Sequence, residues 1–538
     1  MILTESDHLL HPVPGKQFPI SLWCIILVAD SGQGQAMLRY FFVASISAGF
    51  IHAAFAAEPK PDRPNIVYIL ADDFGYGDAG CYNSKSKIPT PNIDRMAREG
   101  MRFTDAHSGS AVCSPTRYGI LTGRYAWRTR LQRGVLGPYD PPLIAADRLT
   151  VPALLKQHGY YTGCVGKWHL GWDWPRDNGQ VVFTKPIANG PTARGFDFYF
   201  GTDVPNYPPY TFLRDDHVVG QPTGEKTERD LNGRPGPMLP GWKFDEILPT
   251  LTRTSVDFIG DRGKTGKPFF LYFPLTSPHE PIAPSPRFRG KSGISDLADF
   301  IMETDWAVGQ VLDALDRHKL ADNTLVFFAC DNGHARYTGL PALQKAGHEP
   351  SGPLRGYKAD IWEGGHRVPF IARWPGHVKA GATCDETICH TNLMATCAAI
   401  LNAKLPDNAG EDSFSILSLL EGERNGKPTH EAVVHHSAGG YFAIRQGEWK
   451  LALCPDGGPA APGKRKDDIS NLPPIQLYDL SKDLGERQNV FKEHPEIVER
   501  LTRLLEKIAA DGRSTPGPKQ RNDAKVNVWQ DVKPPNRP

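Results

Sequence analysis

The most informative run of potentially reactive residues is Cys-Ser-Pro-Thr-Arg at 113–117. It continues as Tyr-Gly-Ile-Leu-Thr-Gly-Arg to residue 124. A thiol beside a guanidinium, which is always charged, would have a lowered pKa and would react with soft electrophiles. In a second interpretation, the thiol of Cys113 is the precursor of a modified side chain. In a third, Cys113 is an ordinary loop residue before a turn proline. The five residues alone leave all three open.

Two pairs of polar residues, Asp72-Asp73 and Asp331-Asn332, are candidate metal ligands because each follows directly on an apolar run of strand length. Adjacent carboxylates repel each other unless a cation or hydrogen bonds offset the repulsion. A set of oxygen ligands without His or Cys favours Ca²⁺ or Mg²⁺ over Zn²⁺. Each pair also has a simpler explanation, since Asp caps helices and Asn-Gly forms turns.

A further run, Gly-Lys-Trp-His-Leu-Gly at 166–171, places Lys167 and His169 two residues apart. In an extended segment their side chains would project to the same side. The lysine could hold an oxygen of an anion, and the imidazole could transfer a proton. The alternative is a solvated lysine and an incidental surface histidine.

An α/β domain must position these residues. Apolar runs at 65–71, 267–275 and 324–330 each end in a polar cluster, as buried parallel strands do. Helical patterns lie between them, notably at 92–100 and 299–319. Strands that alternate with helices predict a large mixed, mostly parallel sheet sandwiched by helices. Ligands of such sheets bind beyond the carboxyl ends of the strands, where the polar clusters fall.

The rest of the chain divides by pattern. Residues 203–245 form a long insertion of low periodicity, and such loops often shape access to a site. After residue 410 the pattern changes to short strands, with a hairpin predicted over 441–453 and a helix over 495–509. The predicted organisation is a leader at 1–57, a catalytic domain at 58–410, a smaller C-terminal α+β subdomain at 411–512 and a flexible tail at 513–538.

The composition is that of an ordinary globular protein, with 40% hydrophobic and 22% charged residues and a net charge of +1. So small a charge gives no reason to expect a nucleic-acid partner. From Met37 a charged start, an apolar stretch and small residues near 54–57 form an export signal. We therefore expect translation to start at Met37 and the product to be periplasmic or secreted. The apolar stretch is too short and interrupted for a stable membrane anchor.

The runs at 113–124 and 159–171 resemble the two signatures of the formylglycine-dependent, arylsulfatase-like sulfatases, which belong to the alkaline-phosphatase-like superfamily. Further motifs follow in the family order: the two strand-end pairs, Thr-Ser-Pro-His ending at His279, and Lys358 before Glu-Gly-Gly. The resemblance covers about residues 62–375.

The resemblance implies that a formylglycine-generating enzyme oxidises Cys113 after synthesis. One hydroxyl of the hydrated aldehyde would attack sulfur, and the other would later expel sulfate. The implied partners in catalysis are Arg117, Lys167, His169, His279 and Lys358. Among them His279 would protonate the leaving alcohol, with Lys358 as a competitor, and His169 would take a proton from the sulfated residue.

The resemblance also implies one divalent cation, Ca²⁺ with Mg²⁺ possible, and a sulfate-ester substrate that we expect to be a sulfated carbohydrate. The implied metal ligands are Asp72, Asp73, residue 113, Asp331 and Asn332. The nearest alternative is a phosphomonoester or phosphonate-ester hydrolase of the same fold, but phosphate usually requires more cationic compensation than ligands for one metal provide. A non-catalytic sulfate-binding protein would be expected to lack Cys113, Lys167 or a metal carboxylate, and this chain retains them.

Overall fold

The structure is a computed structural model. It describes residues 63–227, 233–423, 426–460, 468–469 and 471–533. The predicted leader, with its export signal, lies outside these residues. Within them, no helix is long and apolar enough to cross a membrane.

The described residues form twenty strands and ten α-helices. The strands are β1 Asn65–Ala71, β2 Met101–Phe103, β3 Ala106–His107, β4 Tyr161–Lys167, β5 Arg176–Asp177, β6 Gln180–Val181, β7 Phe198–Thr202, β8 Leu213–Arg214, β9 His217–Val218, β10 Gly224–Lys226, β11 Gly236–Met238, β12 Phe269–Pro274, β13 Thr324–Cys330, β14 Phe370–Arg373, β15 Ala382–Cys384, β16 Ile388–Cys389, β17 Val433–His436, β18 Phe442–Gln446, β19 Trp449–Ala452 and β20 Gln476–Asp479. The helices are α1 Pro91–Glu99, α2 Cys113–Thr122, α3 Val151–Gln157, α4 Ile247–Gly263, α5 Asp296–Arg317, α6 Leu340–Lys345, α7 Glu363–His366, α8 Leu393–Ile400, α9 Leu417–Leu420 and α10 Pro495–Asp511.

Ten strands form one large sheet in the order β15-β2-β14-β13-β1-β12-β4-β7-β8-β9. Its centre, from β13 to β7, is parallel, whereas β14, β8 and β9 pair antiparallel with their neighbours. The predicted mixed, mostly parallel sheet is therefore confirmed. The two strands that carry the predicted metal ligands, β1 and β13, have the predicted bounds.

Helices cover both faces of this sheet because side chains alternate along each strand. Val67 and Ile69 of β1 belong to a hydrophobic cluster with residues of α1, α4 and α5. Ile66 and Tyr68 point to the other face and join a cluster with α2, α3 and α8. Both faces of β1 are thus buried, and its polar continuation must lie at the edge of the sheet.

The C-terminal part contains a four-stranded antiparallel sheet, β17-β18-β19-β20, with α10 packed against it. The predicted hairpin is formed by β18 and β19. The tail from residue 513, which we predicted to be flexible, makes contacts as far as Val532. Asp523 pairs with buried Arg124 at 3.0 Å, and Val528 is buried in the hydrophobic cluster of α10.

A buried ion cluster joins the C-terminal sheet to helix α7. Lys450 of β19 is fully buried, with its Nζ 3.0 Å from Glu363 Oε1 and 2.8 Å from Glu486 Oε1. His366 belongs to the same cluster, and its Nε2 lies 2.9 Å from the carbonyl oxygen of Ile361. These contacts give His366 a structural role.

Candidate active site

The carboxyl ends of β1 and β13 bring the two predicted ligand pairs together. The strands are parallel neighbours with Ala71 opposite Cys330, so the residues that follow must meet. The amide Nδ2 of Asn332 donates to Asp73 Oδ1 at 2.7 Å, and the backbone N–H of Asp73 lies 3.4 Å from Asp331 Oδ1. All four side chains, including that of Asp72, are buried.

Cys113 is the first residue of α2, and Arg117 follows one helical turn later on the same side. The Cys113 sulfur lies 3.6 Å from Asp72 Oδ1. The guanidinium Nη2 of Arg117 lies 3.3 Å from Asp72 Oδ2 and 2.8 Å from Asp331 Oδ2. The Cys-x-Pro-x-Arg spacing thus puts the sulfur and the guanidinium against one carboxylate cluster.

The position of Cys113 at a helix N-terminus favours an anion. The first backbone N–H groups of a helix are unpaired and carry the positive end of its dipole. Val112 at the cap position provides no side-chain hydrogen bond to these groups. A tetrahedral oxyanion beside residue 113 would meet this positive end.

The surroundings of Cys113 do not favour the interpretation of a thiol with a lowered pKa. Burial raises this pKa to about 12, although Lys167 and Lys358 act in the opposite direction. The charge of Arg117 is compensated by Asp331 and Asp72 instead.

Two lysines complete a ring of charge around the carboxylates. Lys167 Nζ lies 2.6 Å from Asp72 Oδ2, and Lys358 Nζ lies 2.7 Å from Asp73 Oδ1. Burial by itself would raise the pKa of Asp72, but Lys167 and the other nearby cations hold it well below its usual range. The site therefore places the charged carboxylate of Asp72 beside charged lysines.

His169 lies at the site, but its backbone conformation differs from the predicted extended one. Strand β4 ends at Lys167, and His169 has a left-handed backbone with φ of 54°, so the segment is not extended through it. Its ring nevertheless lines the same pocket as Cys113. The Nε2 atom donates to the carbonyl of Leu136 at 3.0 Å, which leaves Nδ1 as a buried acceptor without a partner among the described residues.

His279 follows β12 and lies beside the carboxylates. Its Nδ1 donates to the carbonyl of Glu280 at 2.7 Å, and its Nε2 lies 3.9 Å from Asp73 Oδ2. Possible ligand atoms of Asp72, Asp73, Cys113 and His279 all lie within 4.8 Å of one another. Burial, followed by Lys167 and Lys358, lowers the pKa of His279 to about 4.

These residues fit a hard divalent cation. The donors at the ends of β1 and β13 are carboxylate and amide oxygens, the ligands that Ca²⁺ and Mg²⁺ prefer. Asn332 Oδ1 is buried and accepts no hydrogen bond from the described residues. A cation between the strand ends would pair this oxygen and offset the repulsion among Asp72, Asp73 and Asp331.

A pocket of about 540 Å³ opens over Cys113, His169, His279 and Lys358. Part of its wall comes from the 203–245 insertion, which therefore shapes access to the site as expected. The sequence analysis missed the remaining pocket residues with polar or aromatic side chains, because nothing in their local pattern marks them. They are Asn206, Tyr207, Arg234, Glu280 and Tyr337.

A buried cluster of carboxylates, lysines and arginine at the edge of a parallel sheet, open to a pocket over Cys113, defines a hydrolase of tetrahedral oxyanion esters. Comparison with known proteins identifies the oxyanion. The family model described as Sulfatase matches residues 64–403. The chain belongs to this family, and it hydrolyses sulfate esters.

Individual relatives agree with this assignment. The chain is 36% identical over 486 residues to an N-acetylgalactosamine-6-O-sulfatase of Bacteroides thetaiotaomicron, with 83% of this chain and 93% of the relative covered. It is 33% identical over 498 residues to human arylsulfatase A, covering 87% and 92%. A solved structure described under glycosaminoglycan metabolism by Bacteroides thetaiotaomicron matches with a TM-score of 0.74 and 33% identity, covering 83% and 99%. Membership of the family implies a divalent metal and a formylglycine residue.

Proposed function

We propose that the protein is an exported sulfatase of sulfated saccharides, with formylglycine made from Cys113 as its nucleophile and a single Ca²⁺ as its metal. The observation that carries this proposal is the position of Cys113, at a helix N-terminus and 3.6 Å from a carboxylate that Arg117 and Lys167 also contact. The saccharide preference is supported by the relative that is named an N-acetylgalactosamine-6-O-sulfatase.

Asp72, Asp73, Asp331 and Asn332 would hold the cation together with residue 113. When bound, the cation would stabilise negative charge on the substrate and on the nucleophile, and the formylglycine hydrate would supply two hydroxyls on one carbon. Lys167 and Lys358 would hold the sulfate oxygens and stabilise the charge that develops as the S–O bond breaks. Arg117 would fix the orientation of Asp72 and Asp331 and add positive charge beneath the sulfate.

Two histidines are suited to opposite proton transfers. His169 has its Nε2–H bonded to Leu136, so its free Nδ1 is available to take a proton from residue 113. His279 has its Nδ1–H bonded to Glu280, so a proton for the leaving oxygen would be carried on Nε2 of an imidazolium. Because the pKa of His279 is about 4 in the free site, the ring would take up this proton only when the negative charge of the sulfate ester lies beside it. Lys358 remains the competitor for this second role, because its ammonium lines the same pocket.

The proposal is tested by turnover of matched esters. We expect the protein, co-expressed with a formylglycine-generating enzyme, to hydrolyse 4-nitrophenyl sulfate and N-acetylgalactosamine 6-sulfate, and to hydrolyse 4-nitrophenyl phosphate far more slowly. Cys113→Ala should remove turnover, and Cys113→Ser should stall as a sulfate ester because it has no second hydroxyl. Substantial activity of Cys113→Ala would refute the covalent route, and a faster phosphate ester would refute the substrate class.

Export is tested separately. We expect the protein recovered outside the cytoplasm to begin after the small residues near 54–57, as N-terminal sequencing would show. An intact leader on the recovered protein would contradict this part of the proposal.

A further inference from the structure

One arginine of the pocket, Arg234, contacts an aromatic ring and forms no ion pair with the carboxylate cluster. The guanidinium carbon of Arg234 lies 4.0 Å from the centre of the Tyr207 ring, and its Nη2 donates to the Tyr207 hydroxyl at 3.0 Å. Tyr207 itself is buried, whereas Arg234 is exposed. A guanidinium that lies on an aromatic ring in this way keeps most of its donors free in a fixed plane.

The charge of Arg234 has no acidic partner among the described residues. The other cations near the pocket are paired: Lys167 with Asp72 and Lys358 with Asp73. Among the described residues, Arg234 thus presents an unpaired and oriented positive group to the part of a ligand that fills the pocket beyond the sulfate position. A carboxylate or a sulfate is the group that a planar guanidinium binds best, with two parallel hydrogen bonds.

Two further pocket residues indicate a saccharide around that anion. Tyr337 is 58% exposed, more than the other exposed large hydrophobic residues in the described parts of the chain, Val219 at 39% and Leu472 at 45%. An exposed ring at a pocket gives a sugar an apolar surface to lie on. The Oδ1 of Asn206 is buried without a hydrogen bond from the described residues, so it can accept one from a sugar hydroxyl.

We infer that the leaving saccharide carries a second anionic group next to the sulfated position, and that Arg234 binds this group while Tyr337 packs on the sugar ring. This inference rests on the proposed function and specifies which saccharides the enzyme prefers. The anion is a carboxylate, as in a uronic acid, or a second sulfate. Either one would form charge-assisted hydrogen bonds with the guanidinium.

The test compares three disaccharides that carry the same reacting sulfate. The first has a neighbouring uronate, the second has this carboxylate reduced to an alcohol, and the third has a second sulfate in place of the carboxylate. We expect wild-type kcat/KM to be about 10- to 100-fold higher for an anionic form than for the alcohol, because a charged hydrogen bond contributes about that factor. Arg234→Gln should bring this ratio close to one, and Arg234→Lys should restore part of it.

The readout is the ratio of kcat/KM for the anionic substrate to kcat/KM for the alcohol. Misfolding lowers both values equally and leaves the ratio unchanged, whereas loss of anion binding lowers the ratio. Arg253→Gln, which removes an exposed arginine of α4, is the matched control and should leave the wild-type ratio. A wild type without preference, or an Arg234→Gln variant that keeps the preference, would overturn the inference. Hydrolysis of 4-nitrophenyl sulfate but of none of the three saccharides would instead overturn the saccharide part of the proposed function, and this inference with it.

Discussion

Two lysine–aspartate ion pairs have the same N–O distance but differ in burial. Replacing the lysine by methionine should therefore affect stability and activity differently in the two pairs. Lys167 Nζ lies 2.6 Å from Asp72 with both side chains 0% exposed, whereas Lys156 Nζ lies 2.6 Å from Asp197 with the lysine 49% exposed. Lys167→Met and Lys156→Met each remove one ammonium. Methionine keeps most of the apolar stem in both variants.

The expected magnitudes follow from what each substitution leaves behind. Removing one partner of a buried pair costs about 3–5 kcal/mol of the free energy of unfolding, because the other charge stays buried. Arg117 still lies 3.3 Å from Asp72, so we expect the lower end of this range for Lys167→Met in metal-free protein. An exposed pair contributes only about 0–1 kcal/mol, which we expect for Lys156→Met.

Activity should separate the variants further. Loss of one preorganised charge-stabilising group lowers kcat by about 10²–10³-fold, which is the expectation for Lys167→Met. Lys156→Met should keep the wild-type rate because its side chain lies outside the pocket. The assay is hydrolysis of 4-nitrophenyl sulfate, with urea unfolding in EGTA for stability. Near-normal activity of Lys167→Met, or equal destabilisation of both variants, would refute the reasoning.

Three further predictions concern the metal, the buried ion cluster and pH. Dialysis against EGTA should abolish turnover and Ca²⁺ should restore it, with a stabilisation of about 2.7 kcal/mol at a hundredfold excess over Kd; full activity without metal would contradict the cation site. Lys450→Met should cost about 3–5 kcal/mol in urea unfolding without changing KM, because Glu363 and Glu486 would stay buried; a change below about 1 kcal/mol would show that the cluster is solvated. Burial lowers the pKa of His430 to about 3, below its unfolded value, so the unfolded chain binds the additional proton and stability falls as pH falls below about 6.5. His430→Gln should therefore lose about 2 kcal/mol less than wild type between pH 7 and pH 5, and equal losses would contradict this.

Much of the site could be predicted because its residues follow strands. The runs 65–71 and 324–330 are buried on both faces and so are continuously apolar, which fixes where each strand ends and where its carboxylates begin. A parallel sheet then places these ends at one edge. The register between β1 and β13 could not be predicted. Their shared edge of the sheet was sufficient to predict that the carboxylates after them lie close together.

Other features depend on contacts that leave no local pattern. A left-handed turn at His169 follows strand β4, and no residue pattern indicates that the extended conformation ends at Lys167. Arg234 meets Tyr207 across 27 residues of an insertion without periodicity. The tail packs through Val528 and through polar contacts such as that of Asp523 with Arg124, and no regular apolar spacing predicts either contact.

The side chain at position 113 is the most direct test of the account. Trypsin cleavage after Arg102 and Arg117 releases one peptide, 103–117, that contains this residue. In protein co-expressed with a formylglycine-generating enzyme, we predict a peptide about 18 Da lighter than the cysteine form, or close to its mass when the aldehyde is hydrated, and resistant to thiol alkylation. An active enzyme whose peptide carries only an alkylatable thiol would contradict the account.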